Sequence, residues 1–226
     1  LDRDLGDQPA LQAQLLATLG HTYYALGLYR EAKALQEKVL DYYRTTAGPE
    51  HPDTLTAMHT LATTYHYADI DSTNAPAREV VTLRRKVLGP EHLDTAASML
   101  LLANRTGNPT EAYNLRAEVL RVRRKLLGPE NPETIMAMNY LAFSHRDLGR
   151  VDEAIKLWEE ALWLSRKVLR PDHPDTLLMI HNLAEGYAIR GRQPDALKLR
   201  EELLPLCRKV LGPEHRTTPL VALKAH

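Results

Sequence analysis

One cysteine, Cys207, stands in a chain of 226 residues, so no intramolecular disulfide can staple it and packing alone has to hold it. Cys207 lies in an apolar helical run, 203–211, where it reads as a small buried hydrophobe rather than a reactive thiol, and a lone thiol fits a reducing, cytoplasmic setting. No stretch approaches the roughly 20 apolar residues that a bilayer-spanning helix requires, and the N-terminus has no secretory-signal pattern. Charge of one sign is missing as well. Lys and Arg number 29 against 29 Asp and Glu, which leaves no positive field to gather nucleic acid or anionic lipid. The chain has no GxxxxGK[ST] phosphate loop, no GxGxxG after a strand, no GxSxG elbow and no CxxC pair, so the chemistries that need them lack their residues. Carboxylate pairs such as Glu159-Glu160 and Glu201-Glu202 fall on helical faces as solvated charge. No catalytic residue and no cofactor is expected.

What the chain does have is a recurring phrase: GPEHPDTL from Gly48, GPEHLDTA from Gly89, GPENPETI from Gly128, RPDHPDTL from Arg170 and a decayed GPEHRTTP from Gly212. The starts are 41, 39, 42 and 42 residues apart, a period that marks a solenoid made by stacking one supersecondary unit. The phrase is a helix stop followed by a helix start. Basic last turns precede it, as in Arg85-Lys86 and Arg166-Lys167, at the negative end of a helix dipole. Gly89, Gly128 and Gly212 are expected to take the left-handed C-terminal cap, and the next Pro stops the helix. His51, Asn131 or His173 then stands beside the new N-terminus, with Pro52, Pro132 or Pro174 at its first position and an acid in its first turn.

Between phrases the pattern predicts two helices. Small residues recur twelve apart, Gly20 to Ala32, Ala142 to Ala154 and Ala184 to Ala196, with Gly27, Gly149 or Gly191 at a turn between. Matched small residues let two antiparallel helices approach closely. The second and third units depart from this: 15 residues separate Ala62 from Ala77 across Tyr67–Pro76, whereas only 9 separate Ala103 from Ala112.

Leu19, Gly20, Tyr23 and Ala32 give the chain a resemblance to the tetratricopeptide repeat family, and the long period with its GPEHPDT linker resembles the kinesin light chain subgroup. The family repeat is about 34 residues. The resemblance implies an all-α, right-handed superhelical solenoid of about five helical hairpins. Taken as one domain over 1–226, the repeats are expected near 9–47, 52–88, 93–127, 132–169 and 174–211, with a partial one at 216–226. The start at Leu1 and that interrupted final helix suggest a piece of a longer protein.

For function the resemblance implies a non-enzymatic scaffold or adaptor that binds a protein segment in a concave groove. A bacterial source is expected, and a tubulin-like filament is one possible partner. The alternative is the regulatory or sensor tail of a bacterial serine/threonine kinase or other signalling protein, taking a peptide or small molecule. First helices line such a groove. By the family's pattern, three rows face it: His59, Asn139 and His181 two residues before the aligned Leu; Thr63, Asn104, Phe143 and Glu185, with His21, two after; and Tyr24, His66 and Arg146 five after. Hydrogen-bonding groups and aromatics with few fixed charges suit an extended peptide rather than a charge clamp. Asn139 in particular is expected to be exposed.

The linker histidines His51, His92, His173 and His215 belong to different hairpins, at least roughly 10 Å apart, too far to share one metal ion. Met58, Met99, Met138 and Met179 read as packing. Trp158 and Trp163, five apart, cannot share one narrow stripe, which predicts that one of them is exposed.

Overall fold

A computed structural model of the chain describes residues 8–68 and 74–211. Among these residues every regular element is a helix: α1 (Pro9–Ala25), α2 (Tyr29–Thr46), α3 (Pro52–Ala68), α4 (Ala75–Val87), α5 (Leu93–Arg105), α6 (Pro109–Leu127), α7 (Pro132–Asp147), α8 (Val151–Val168), α9 (Pro174–Ile189) and α10 (Gln193–Leu211). The fold is the all-α hairpin solenoid that the period predicts. The last linker phrase and the partial helix expected at 216–226 lie outside the described residues.

The chain forms two compact units, 1–106 and 107–226. Within the first, each of α1 to α4 packs on the next helix and α3 also meets α5. Its core joins Val39 and Leu40 of α2 to Leu55, Met58 and Leu61 of α3 and Val80 of α4. Within the second unit α6 to α10 pack in the same serial way, with α7 also on α9. Met99, Met138 and Met179 are fully buried and Met58 nearly so, as packing residues should be. Trp158 is interior whereas Trp163 is 63% exposed, which settles which tryptophan faces water.

The linker phrase works as a capping device. The ring Nδ1 of His51, His92 and His173 accepts from the backbone N–H of Asp53, Asp94 and Asp175 at 3.2, 3.1 and 3.2 Å. Asn131 does the same for Glu133 at 2.8 Å through its Oδ1. A helix N-terminus has unsatisfied donors, and these side chains take one each. The buried threonine of the phrase closes the loop: Thr54, Thr95 and Thr176 donate to the carbonyls of Gly48, Gly89 and Arg170, six residues back, at 2.7, 2.8 and 3.1 Å. Its acid has a partner too. Lys86 pairs with Glu50, Lys167 with Glu130, and Lys209 with Asp172 at 2.9 Å. Exposed pairs contribute at most about 1 kcal/mol each, so these set register more than they stabilise.

The linker glycines carry positive φ, but not the expected left-handed cap throughout. Gly128 has φ 83° and ψ 166°, an extended conformation open essentially to glycine alone. The helix therefore ends by extension, and Arg170, where glycine is replaced, follows a Leu169 in ordinary β conformation, φ −115° and ψ 166°. The true left-handed caps are the turns inside hairpins. At Gly27, Gly149 and Gly191 φ is 75–76°, and the residue after each glycine donates to the carbonyl five back, as Leu28 does to Tyr23 at 2.9 Å.

Small residues mark the crossings as the pattern requires. Gly20, Ala32, Ala62, Ala77, Ala142, Ala154, Ala184 and Ala196 are all buried. Ala142→Leu or Ala184→Leu is therefore expected to overpack a crossing and cost about 1–3 kcal/mol in chemical denaturation. The irregular second repeat is visible in α4, which has 13 residues where α2 and α8 have 18.

Candidate protein-binding faces

In the unit formed by α1 to α5, first-helix rows and an unforeseen second-helix residue come together. His21 and Tyr24 of α1 and His59, Thr60 and Thr63 of α3 line a cavity of about 210 Å3, and Gln36 of α2 contributes to it. A second cavity of about 260 Å3 shares His21, Gln36 and Thr60 and is otherwise mostly apolar, with Ala17, Val39, Ala57 and Tyr43. Thus His59, Thr63 and Tyr24 converge. His66, half-buried, instead lies edge-on to Tyr67 at 4.9 Å, and Asn104 is exposed near the end of α5.

His59 is held from behind. Its Nδ1 lies 3.1 Å from the Ser98 hydroxyl, and buried Arg84 donates to that oxygen at 2.9 Å and to the Asp94 carbonyl at 2.8 Å. Because Arg84 can only donate, Ser98 accepts from it, and the hydroxyl's proton or its second lone pair meets His59 Nδ1 according to the ring's tautomer. Burial, reinforced by Arg84 and opposed by Asp94, pushes the His59 pKa down to about 4, so the ring is neutral near pH 7. Tyr24 packs in an aromatic cluster with Tyr29 at 5.5 Å and Tyr67 at 5.7 Å. Burial, with the two neighbouring phenols, raises its pKa to about 12.

In the unit formed by α6 to α10 the expectation for Asn139 is corrected. It is 1% exposed, and its Oδ1 accepts from Trp158 Nε1–H at 2.9 Å and from Asn182 Nδ2–H at 2.8 Å. Trp158 is too large for the hairpin interior without a hydrogen-bond acceptor for its indole, and Asn139 supplies one. The aromatic also fills the space over Gly186, where a Cβ would stand 2.9 Å from Trp158 Cζ3. Phe143 remains half-buried, edge-to-face on Trp158 at 5.5 Å, with the Arg146 guanidinium 4.8 Å over its ring. Arg146 also pairs with Asp147 at 2.9 Å. Half-buried Glu185 accepts from Arg200 at 3.0 Å, and His181 is half-buried on the same helix, α9.

Sequence reading missed a row on the second helices, four residues after their small residue: Gln36, Val81, Arg116, Trp158 and Arg200. Its donors reach first helices, Arg116 that of the following hairpin and the other two that of their own. Arg116 donates to Ser144 at 2.8 Å, Trp158 to Asn139 and Arg200 to Glu185. The signal was present as polar residues at apolar-stripe positions.

Stacked helical hairpins with capped linkers and small-residue crossings define a helical-repeat protein. The tetratricopeptide repeat model matches residues 11–71 and 133–209, and a second model of the same repeat matches 95–133. The chain belongs to the tetratricopeptide repeat family. Among solved structures it is similar to a Podosopora anserina kinesin light chain with nearly identical TPR-like repeats, at 29% identity and TM-score 0.75, over 88% of this chain and 97% of that one. BtubC (BKLC) from P. vanneervenii shares the fold at 18% identity and TM-score 0.76, over 94% and 87%. A Pyrococcus horikoshii signal transduction ATPase with a tetratricopeptide repeat sensor shares it at 15% and 0.73, over 99% of this chain and 35% of that protein. Comparison with curated proteins gave no match.

Proposed function

We propose that the chain is a non-enzymatic adaptor that binds an extended protein segment along the first helices of its hairpins. The carrying observation is the convergence of His21, Tyr24, His59 and Thr63 on one cavity between helices. Those side chains offer donors, acceptors and an aromatic ring without a fixed charge, as a peptide backbone and neutral side chains require. Membership of the repeat family supports a protein-interaction scaffold. The kinesin light chain likeness supports placing it with adaptors of that kind, and among the described residues no helix is long and apolar enough to cross a membrane. A cytoplasmic setting and a tubulin-like filament partner complete the reading. The alternative, a regulatory or sensor segment, draws support from the ATPase whose sensor repeats share this fold over 99% of this chain.

Co-sedimentation with polymerised bacterial tubulin-like protein tests it. Thr63→Arg puts bulk and charge on the cavity wall and should weaken binding about tenfold or more, some 1.4 kcal/mol. Lys156→Ala, on an exposed face of α8, should leave it unchanged. Loss with Lys156→Ala alone would move the interface to the outer helices. If the wild type stays in the supernatant, the tubulin-like partner is dropped and the sensor reading takes precedence.

A further inference from the structure

Gln36 differs from the other polar and indole members of its row. Arg116, Trp158 and Arg200 at the equivalent position each donate to a first helix. Gln36 is 4% exposed, yet neither its Oε1 nor its Nε2 has a hydrogen-bond partner within the chain. Its stem lies over Gly20, where a Cβ would stand 3.3 Å from Gln36 Cγ, so the missing side chain at residue 20 makes the room that Gln36 occupies. An apolar residue of the same length would fill that space without two unmade bonds, each costly on burial. Gln36 also lines both cavities of its unit, together with His21 and Thr60.

A carboxamide with donor and acceptor both unmade is complementary to the N–H and C=O of one residue of an extended chain, which lie on the same edge and can be met together. In an extended chain, side chains i and i+2 fall on one face, as two cavities flanking one amide-reading residue would demand. The larger cavity is walled by Ala17, Val39, Ala57 and Tyr43 and suits an apolar side chain. The smaller, walled by Tyr24, His59 and Thr63 with the shared His21 and Thr60, suits an uncharged hydrogen-bonding one. Lys and Arg are absent from both walls and Asp53 stands in the larger, which disfavours acidic segments.

We infer that the first unit reads an extended, uncharged segment with an apolar residue at one position and a polar, uncharged residue two further on, Gln36 turning its carboxamide to the N–H and C=O of the residue between them. This rests on the reading of the first-helix face as a peptide groove and adds the class of sequence it takes.

The probe is acetyl-Gly-Leu-Ala-Asn-Gly-amide, titrated into the full chain while the Gln36 carboxamide and His59 ring resonances are followed. A second peptide carries an N-methyl group on the alanine nitrogen and so lacks that N–H. Wild type should bind the N-methyl peptide about five- to tenfold more weakly. Gln36→Met, which keeps length and volume, should bind the parent peptide that much more weakly and be indifferent to N-methylation, with a melting temperature no lower than wild type. Equal affinity of wild type and Gln36→Met for the parent peptide overturns the inference, as does an equal N-methylation effect in both or an absence of shifts at millimolar peptide. Should the variant not fold, an N-methylation effect below twofold in wild type does the same. Shifts at His59 and Thr63 without any dependence on Gln36 leave the groove standing and remove only this assignment. Shifts confined to Lys38 and Glu31, exposed residues of α2, remove the groove as well.

Discussion

Asn139→Leu should cost roughly 2–5 kcal/mol, making it the most damaging single change proposed for the second unit. One oxygen there satisfies two buried donors, Trp158 Nε1–H and Asn182 Nδ2–H. Leucine shares the heavy-atom branching of asparagine, though it is bulkier, and accepts nothing, so both donors are stranded inside the protein, and each stranded donor costs about 1–3 kcal/mol. The measurement is urea unfolding followed by Trp158 emission, in a Trp163→Phe background that silences the exposed tryptophan. A second variant separates hydrogen bonding from packing. Adding Asn182→Leu removes one of the stranded donors together with its partner, and the double variant should recover part of the loss rather than add to it. Strict additivity, or a cost below 0.5 kcal/mol for Asn139→Leu alone, would mean that the indole and carboxamide find other acceptors.

The same residue shows where sequence reading stops. Asn139 stands in register with His59 and His181, which are half-buried, and nothing in its own helix distinguishes it. Its fate is decided nineteen residues on, by a Trp158 that occupies the row held elsewhere by Gln36, Val81, Arg116 and Arg200. Only the pairing of α7 with α8 brings indole and carboxamide together. Features that repeat were far easier to read. The linker phrase is written five times and the glycine turn three times, with small variations, and each copy constrains the others. The histidine at the helix start was legible as a position, and the structure adds that Nδ1 makes the cap. Exit geometry at Gly128 was not legible, because positive φ with ψ near 0° and with ψ near 166° ask for the same residue.

A similar limit applies to Arg84. In the sequence it is one of two adjacent arginines in a basic last turn, the usual company of a helix C-terminus. Its neighbour at 85 is exposed, whereas Arg84 is buried and organises Ser98 and His59. Burial pulls its own pKa down, with nearby Asp94 opposing the shift. A cationic side chain thus lies behind a groove wall that itself presents a neutral ring. This arrangement explains how the cavity beside His59 can lack fixed charge although a guanidinium lies one hydroxyl away.

That arrangement makes stability depend on acid. His59 has a folded-state pKa of about 4 against about 6.5 when unfolded, so between those values the unfolded chain binds the extra proton. Unfolding therefore becomes easier as pH falls through this window. The contribution is fully present above pH 6.5, declines steadily below it, and is exhausted near pH 4, where both states are protonated. Its full size is roughly 3 kcal/mol, by the linkage between pKa difference and free energy. His66 and His145, whose pKa values are also lowered chiefly by burial, act in the same direction. Carboxylates that titrate lower add their own losses, so the comparison to make is with His59→Gln. Glutamine can still bond the Ser98 hydroxyl but has no proton to gain, and the groups around it, Arg84 on α4 and Asp94 on α5, are unchanged. Denaturation at pH 7 and pH 4.5 should show the wild type losing on the order of 2 kcal/mol more than the variant over that interval. Equal losses would mean that His59 takes up its proton in the folded chain as readily as in the unfolded one, and that the Arg84–Ser98 pair does not hold the ring neutral.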